Sequence, residues 1–227
     1  MSLVKMIKIG YLCMETDELL DAEDCHLLRG SIAGIFPNER LLHNHNEQGK
    51  EIYRYPKIQY KIVDGFPMVI AIGNEAIEVL KRVCKTIVAF EFDNGKSYDL
   101  LEKRVEIEEH PFGVSDTIKG YYFLTPAILL NSNNYDNYQK LEDENKKNEF
   151  ISGKLAAHLL STSKGMEYTV LERIKISCNL KTLPVILKGE KMIGFTGFFY
   201  ANFYIPDFLG VGKSTSRGYG VCISNDD

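Results

Sequence analysis

The chain of 227 residues has no tryptophan, no C-x-x-C pair and no excess of positive charge; its formal net charge is -4. Each lack excludes something. The five cysteines, Cys13, Cys25, Cys84, Cys178 and Cys222, are odd in number and scattered. That pattern fits reduced, buried thiols better than a disulfide framework. No apolar run approaches the ~20 residues of a membrane helix, so no membrane partner is expected. The opening MSLVKMIKIGY has no long apolar core or cleavage site and reads as a first strand, which implies a cytoplasmic protein. A pI near 5.8 argues against a protein that coats nucleic acid indiscriminately.

A complete phosphate-binding loop is also missing. GVGKSTSRGYG, residues 210–220, supplies the G-K-S half of G-x-x-x-x-G-K-[ST], but Asp207 stands where the first glycine belongs. A carboxylate there would face the anion it should cradle. The fifteen residues after Gly212 leave no room for the helix whose amides bind phosphate. The stretch is better described as G-x-G-x5-G-x-G, with Lys213 and Arg217 between Gly210, Gly212, Gly218 and Gly220. Such a loop offers bare amides and cations to a polyanion, or lets another backbone come close at a sheet edge.

What is present is apolar content of 44%, with thirteen Tyr and twelve Phe, enough for a real core with a β-leaning composition. Charge is unevenly spread. Arg29 to Lys61 holds six cations and three acids, and Arg173 to Arg217 holds seven and two. The acids gather in EFDNGKSYDLLEKRVEIEE and DNYQKLEDENKKNE. Two basic regions in an acidic chain suit a local anion-binding face.

Periodicity predicts a strand over VKMIKIGYLCM, then a helix over DELLDAEDCHLLRGSIAGIF with Asp17 as N-cap and Pro37 as stop. A polar loop, NERLLHNHNEQGK, follows. PKIQYKIVDGFPMVIAIG reads as a hairpin turning at Asp64-Gly65, NEAIEVLKRVCK as a helix capped by Asn74, and TIVAFEF as a strand. That order is βαββαβ, the ferredoxin-like unit. The second half predicts a strand in YYFLTPAILL and one long helical region from Asn133 to Gly165, with Ile151, Leu155, Leu159 and Leu160 on its apolar stripe. Strands VLERIKISC, LPVILKG, KMIGFTGFFYANFYI and YGVCIS follow, with a hairpin over Gly189-Glu190-Lys191. The expected architecture is α+β: two ferredoxin-like (RRM-like) domains in tandem, residues 1–114 and 115–227, the second modified and ending in the glycine-rich loop.

The densest polar chemistry is LLHNHNEQGKEIYRYP, residues 41–56. In an extended segment His43 and His45 point the same way. One use of such a pair is zinc, for which no third ligand has a telling spacing. Another is metal-free RNA cleavage. A base takes the proton of the 2′-OH, the oxygen attacks the adjacent phosphorus, and an acid protonates the leaving 5′ oxygen. Imidazoles suit both roles because their ordinary pKa lies near 6.5. Two neighbouring rings resist double charging, so a neutral and a cationic form coexist near pH 7. Lys50 or Arg54 would then stabilise charge on phosphorus. Two idle surface histidines are the plain alternative. His26 reads as a core or edge residue, His110 as a loop residue and His158 as structural.

HLLRGSIAGIF, LLHNH and YRYPKIQYKIVDG resemble the N-terminal half of the CRISPR-associated endoribonucleases that cut precursor CRISPR RNA within its repeats. LKGEKMIGFTGFFYANFYIPDFLGVGKSTSRGYG resembles their C-terminal block, whose glycine loop marks the wider RAMP superfamily. The resemblance implies two ferredoxin-like domains and a cofactor-free, metal-independent cut that leaves a 2′,3′-cyclic phosphate and a 5′-OH. It places His43 and His45 in the active site without saying which is base, and makes Lys50, Tyr53 and Tyr55 candidates beside them. Gly210, Gly212, Lys213, Ser214, Ser216 and Arg217 are expected near RNA. Arg29, Arg54 and Lys57 are expected to grip phosphates, and Tyr55 to stack on a base. Expected partners are CRISPR repeat RNA, other subunits of an interference complex and a second copy on RNA. A catalytically silent RAMP-type RNA-binding subunit is the main rival.

Overall fold

The structure, a computed structural model, describes residues 4–43 and 55–225. Close packing divides them into two units. Met6–His110 with Thr215–Gly218 forms one, here called N-terminal. Pro111–Ser214, with residues 4–5 and 219–225, forms the C-terminal unit. The break read from the sequence, after residue 114, falls slightly further along the same strand.

In the N-terminal unit the order is β1 (Lys5–Thr16), α1 (Cys25–Ile35), a one-turn α2 (Arg40–His43), β2 (Ile58–Val63), β3 (Phe66–Ile72), α3 (Asn74–Thr86), β4 (Ala89–Glu91) and the start of β5 (Ser97–Ala127). The strand order β2-β3-β1-β5, with β3 antiparallel to both β1 and β2, is that of a ferredoxin-like sheet. The hairpin turns where expected: Asp64 and Gly65 both have positive φ, as a two-residue I′ turn requires. α3 buries Ala76, Ile77, Val79, Leu80 and Val83, and α1 buries Cys25, Leu28, Ile32 and Ala33. These meet Ile58, Tyr60 and Ile62 of β2 in one apolar core. Burying each large aliphatic chain contributes about 1.5–3 kcal/mol.

Two expected caps are displaced. α1 begins at Cys25 after a short 3-10 turn, Ala22–Asp24, and the Asp17 carboxylate instead accepts the Asp99 backbone N–H at 2.9 Å. α3 is preceded by Gly73, not capped by Asn74. The strand read over TIVAFEF is only Ala89–Glu91, because the chain turns at once into β5.

The C-terminal unit continues with the rest of β5, α4 (Ser132–Gln139), α5 (Glu144–Gly165), β6 (Ile176–Leu187), β7 (Glu190–Tyr204) and β8 (Cys222–Ser224). β8 and β7 flank β5, and β6 lies outside β7. The single long helix expected here is two helices. The Asp143 carboxylate accepts the backbone N–H groups of Asn145 and Lys146 and so starts α5 afresh. Ile151, Leu155 and Leu159 are buried as expected, whereas Leu160 is 49% exposed. The core is aromatic: Phe112 meets Phe203 edge-on at 5.1 Å, and Phe123 lies 4.9 Å from Phe199. His110 is a strand residue, not a loop residue; Tyr11 Oη lies 2.9 Å from its Nε2. His158 Nε2 donates to the Leu129 carbonyl at 3.0 Å. His26 is exposed, with Nδ1 3.0 Å from the Glu23 carbonyl.

Candidate active site

Pro37 ends α1 one turn before α2, so the chain doubles back and delivers His43 beside the first helix. Four contacts hold this corner. The Arg29 guanidinium, one turn along α1 from Cys25, donates to the His43 carbonyl at 2.6 Å. Tyr60 Oη, from β2, donates to the Leu42 carbonyl at 3.3 Å. Arg82 of α3 pairs with the Glu39 carboxylate just ahead of α2. Leu42 itself is 1% exposed and belongs to the core.

The His43 ring is half-buried, and its Nε2 donates to the Phe36 carbonyl at 3.1 Å. A carbonyl only accepts, so Nε2 carries the proton and the neutral ring has its lone pair on Nδ1. A ring so held keeps a fixed orientation. Burial pushes the Tyr60 phenol well above its ordinary range, which keeps it a neutral donor, with Arg29 opposing the shift.

His45, Lys50, Tyr53 and Arg54 lie outside the described residues. Tyr55 and Lys57 are described, half-buried, on the segment entering β2. The structure thus brings His43, Arg29, Tyr55 and Lys57 into the same unit. Tyr60 and Arg82 were not singled out by sequence. A tyrosine in an alternating strand signals packing, and nothing in α3 marks Arg82 as the partner of Glu39.

The glycine loop is anchored by backbone. The Lys213 N–H donates to the Ile128 carbonyl at 2.9 Å, and the Gly220 N–H to the Pro126 carbonyl at 3.0 Å. Gly210 bridges Val221. Gly220 has φ +67, and a Cβ there would stand 2.0 Å from the Val211 carbonyl oxygen. No side chain fits. Thr215–Gly218 pack within the N-terminal unit: Arg217 bridges Tyr60, and a Cβ on Gly218 would meet Cys25 Sγ at 2.7 Å. Burial pushes the Cys25 thiol up to about 12. Lys213, Ser214, Ser216 and Arg217 are half-buried, and partial burial lowers the Lys213 pKa. Asp207 accepts the Ser224 backbone N–H at 2.6 Å, and among the described residues no helix follows Lys213-Ser214. The nucleotide-loop reading is thereby excluded.

Among the described residues, no helix is long and apolar enough to cross a membrane, and no group of three or more His, Cys, Asp or Glu is placed to hold a metal ion.

Comparison with known proteins gives a consistent result. The Cas6b N-terminal domain profile matches residues 5–111, and the Cas6b C-terminal domain profile matches residues 113–225. A crystal structure of Cas6b is 36% identical, covers 97% of this chain and 100% of its own, and superposes with a TM-score of 0.90. A second, described as the CRISPR RNA processing endoribonuclease Cas6b, is 33% identical with the same coverage and a TM-score of 0.78. An uncharacterised protein of Methanocaldococcus jannaschii is 37% identical over 130 residues, 57% of this chain and 88% of that one. With both domain profiles matched in order, and a solved Cas6b of the same fold along nearly its whole length, the chain belongs to the Cas6b family.

Proposed function

We propose that this chain is an endoribonuclease that cuts CRISPR repeat RNA by attack of a 2′-OH on the adjacent phosphorus, without a metal ion. The observation that carries the reading is the fixed corner at His43, where ring and backbone are each hydrogen-bonded. His43 accepts the 2′-OH proton. His45, as imidazolium, protonates the departing 5′ oxygen. Lys50 and Tyr55 stabilise charge at phosphorus. The O5′–P bond breaks as the O2′–P bond forms, which leaves a 2′,3′-cyclic phosphate and a 5′-OH, and the proton count balances.

Arg54, Lys57, Ser216 and Arg217 guide the RNA backbone, as do Lys213, Ser214 and the amides at Gly210 and Gly212. Arg29 serves the corner by holding His43. The domains divide near residue 114. A second copy on RNA and other subunits of an interference complex are the partners this reading implies.

The test is cleavage of a repeat RNA with EDTA present. The unaltered chain should cut and leave cyclic-phosphate ends. The double variant His43→Ala, His45→Ala should bind RNA and fail to cut it. Activity abolished by EDTA and restored by zinc contradicts the proposal. Binding without cleavage by the unaltered chain makes it a silent RNA-holding subunit.

A further inference from the structure

The sheet of the C-terminal unit has one covered face and one open face. Phe195, Phe199, Ala201 and Phe203 of β7 are fully buried. On the same side Cys178 of β6 lies 3.2 Å from Ser152 Oγ of α5, so α5 covers this face. The alternate residues of β7 point the other way. There Phe198 is 43% and Tyr200 46% exposed. The Tyr122 ring of β5 lies 4.8 Å from that of Phe198. Tyr200 lies over Gly120, its Cε1 3.4 Å from where a Cβ would stand. Antiparallel partners share a face, so Ser177 and Asn179 of β6 flank Tyr200 and Phe198, and Ile223 of β8 flanks Tyr122.

Cross-strand packing explains why Tyr122 meets Phe198 and why Tyr200 covers a glycine. It does not explain why nearly half of two aromatic side chains remains in water on the central strands. Contiguous apolar exposure of that kind marks a binding surface. Charge selects the occupant. The chain holds 31 acids, yet β6, β7 and β8 together carry one, Glu190 at the hairpin turn, and residues 111–127 of β5 add one, the exposed Asp116. The nearby polar positions on this face are Ser177, Asn179 and Lys181, all exposed. Aromatic rings on the middle strands of a four-stranded sheet, flanked on β6 by amide, hydroxyl and ammonium groups and, among the described residues, by few carboxylates, match the flat faces and the charge of unpaired nucleotides.

We propose that Tyr122, Phe198 and Tyr200, in the C-terminal unit, form a stacking platform for unpaired RNA bases, with Asn179 and Lys181 contacting base edges and backbone. The platform rests on the reading of this chain as an RNA-acting protein. It adds a second point of grip that holds single-stranded RNA outside the scissile nucleotides.

Because the chain has no tryptophan, Phe198→Trp in the full-length protein creates a single reporter on the platform. An unpaired oligoribonucleotide of mixed sequence should quench its fluorescence, while inorganic polyphosphate, which carries charge without bases, should not. The double variant Phe198→Thr, Tyr200→Thr keeps strand-forming residues and should bind the oligoribonucleotide about tenfold more weakly per ring removed, by fluorescence anisotropy. Asn179→Asp, at an exposed position, should weaken binding in the same direction without touching the rings. RNA binding by the Trp variant with no quenching, or affinities unchanged in the Thr and Asp variants, overturns the platform and leaves the cleavage reading standing. A protein that sediments as a dimer, and as a monomer once the rings are gone, with RNA affinity unchanged, also overturns it: the patch is then a contact between copies. Failure of the unaltered chain to bind any RNA removes both readings.

Discussion

The Arg29 guanidinium donates to the backbone carbonyl of His43 at 2.6 Å, so a cation of the first helix holds the last residue of the second. Side-chain chemistry and backbone position are thereby coupled. A hydrogen bond from a charged donor contributes about 1.5–3 kcal/mol.

Replacing Arg29 by Met should therefore lower the cleavage rate at saturating RNA by about ten- to a hundredfold. The dissociation constant for RNA, and its dependence on salt, should change little. Had Arg29 gripped a phosphate, affinity would fall and the salt slope would shrink by about one. Single-turnover kinetics and a salt titration of binding separate the two roles.

Gly218 should not tolerate a side chain. Its φ is +87, and a Cβ would stand 2.7 Å from Cys25 Sγ. Gly218→Ala should destabilise the protein by about 2–4 kcal/mol, part from backbone strain and part from the clash. Adding Cys25→Ala should recover the second part and not the first, giving a non-additive double-mutant cycle in urea unfolding. The Cys25 thiol, its pKa pushed up to about 12 by burial, should resist iodoacetamide near pH 8 in the unaltered protein and become reactive in Gly218→Ala. Equal stability of the alanine variant would mean the loop is not seated on α1.

His158 ties stability to pH. Burial lowers its pKa below the ordinary 6.5, against the opposing effect of its bond to the Leu129 carbonyl. Between the folded value and about 6.5 the unfolded chain binds the proton that the native ring refuses. Stability from this residue is thus intact above pH 6.5 and falls as pH drops below it. His158→Gln should flatten that part of the stability-pH curve. An unchanged slope in denaturant titrations across the window would show that His158 ionises as freely folded as unfolded.

Much of the N-terminal unit was legible because its signals are local. Asp64-Gly65 between alternating apolar runs fixes a hairpin, and the spacing of Ile77, Leu80 and Val83 fixes one face of α3. The helix starts were less legible. Asp17 was expected to cap α1, but its carboxylate is taken by Asp99, remote in sequence. The acid-rich first half of β5 gave no strand signal, since few of its side chains are buried on either face. The break between α4 and α5 depends on the Asp143 cap, which a continuous polar run conceals. At the site, the histidine pair stood out by its letters. Tyr60 and Arg82 did not, because their roles depend on which backbone atoms the fold brings to them. The glycine loop showed its composition but not its seating: that Gly218 rests on Cys25 is a tertiary fact.

The central claim is that the RNA supplies its own nucleophile while the histidine corner moves the protons. A repeat RNA with a single 2′-deoxy sugar at the nucleotide whose 2′-OH would attack tests it most directly. The account predicts that this RNA binds the unaltered chain as tightly as the all-ribose form and is not cut. Cleavage of the deoxy substrate at the same bond would contradict it.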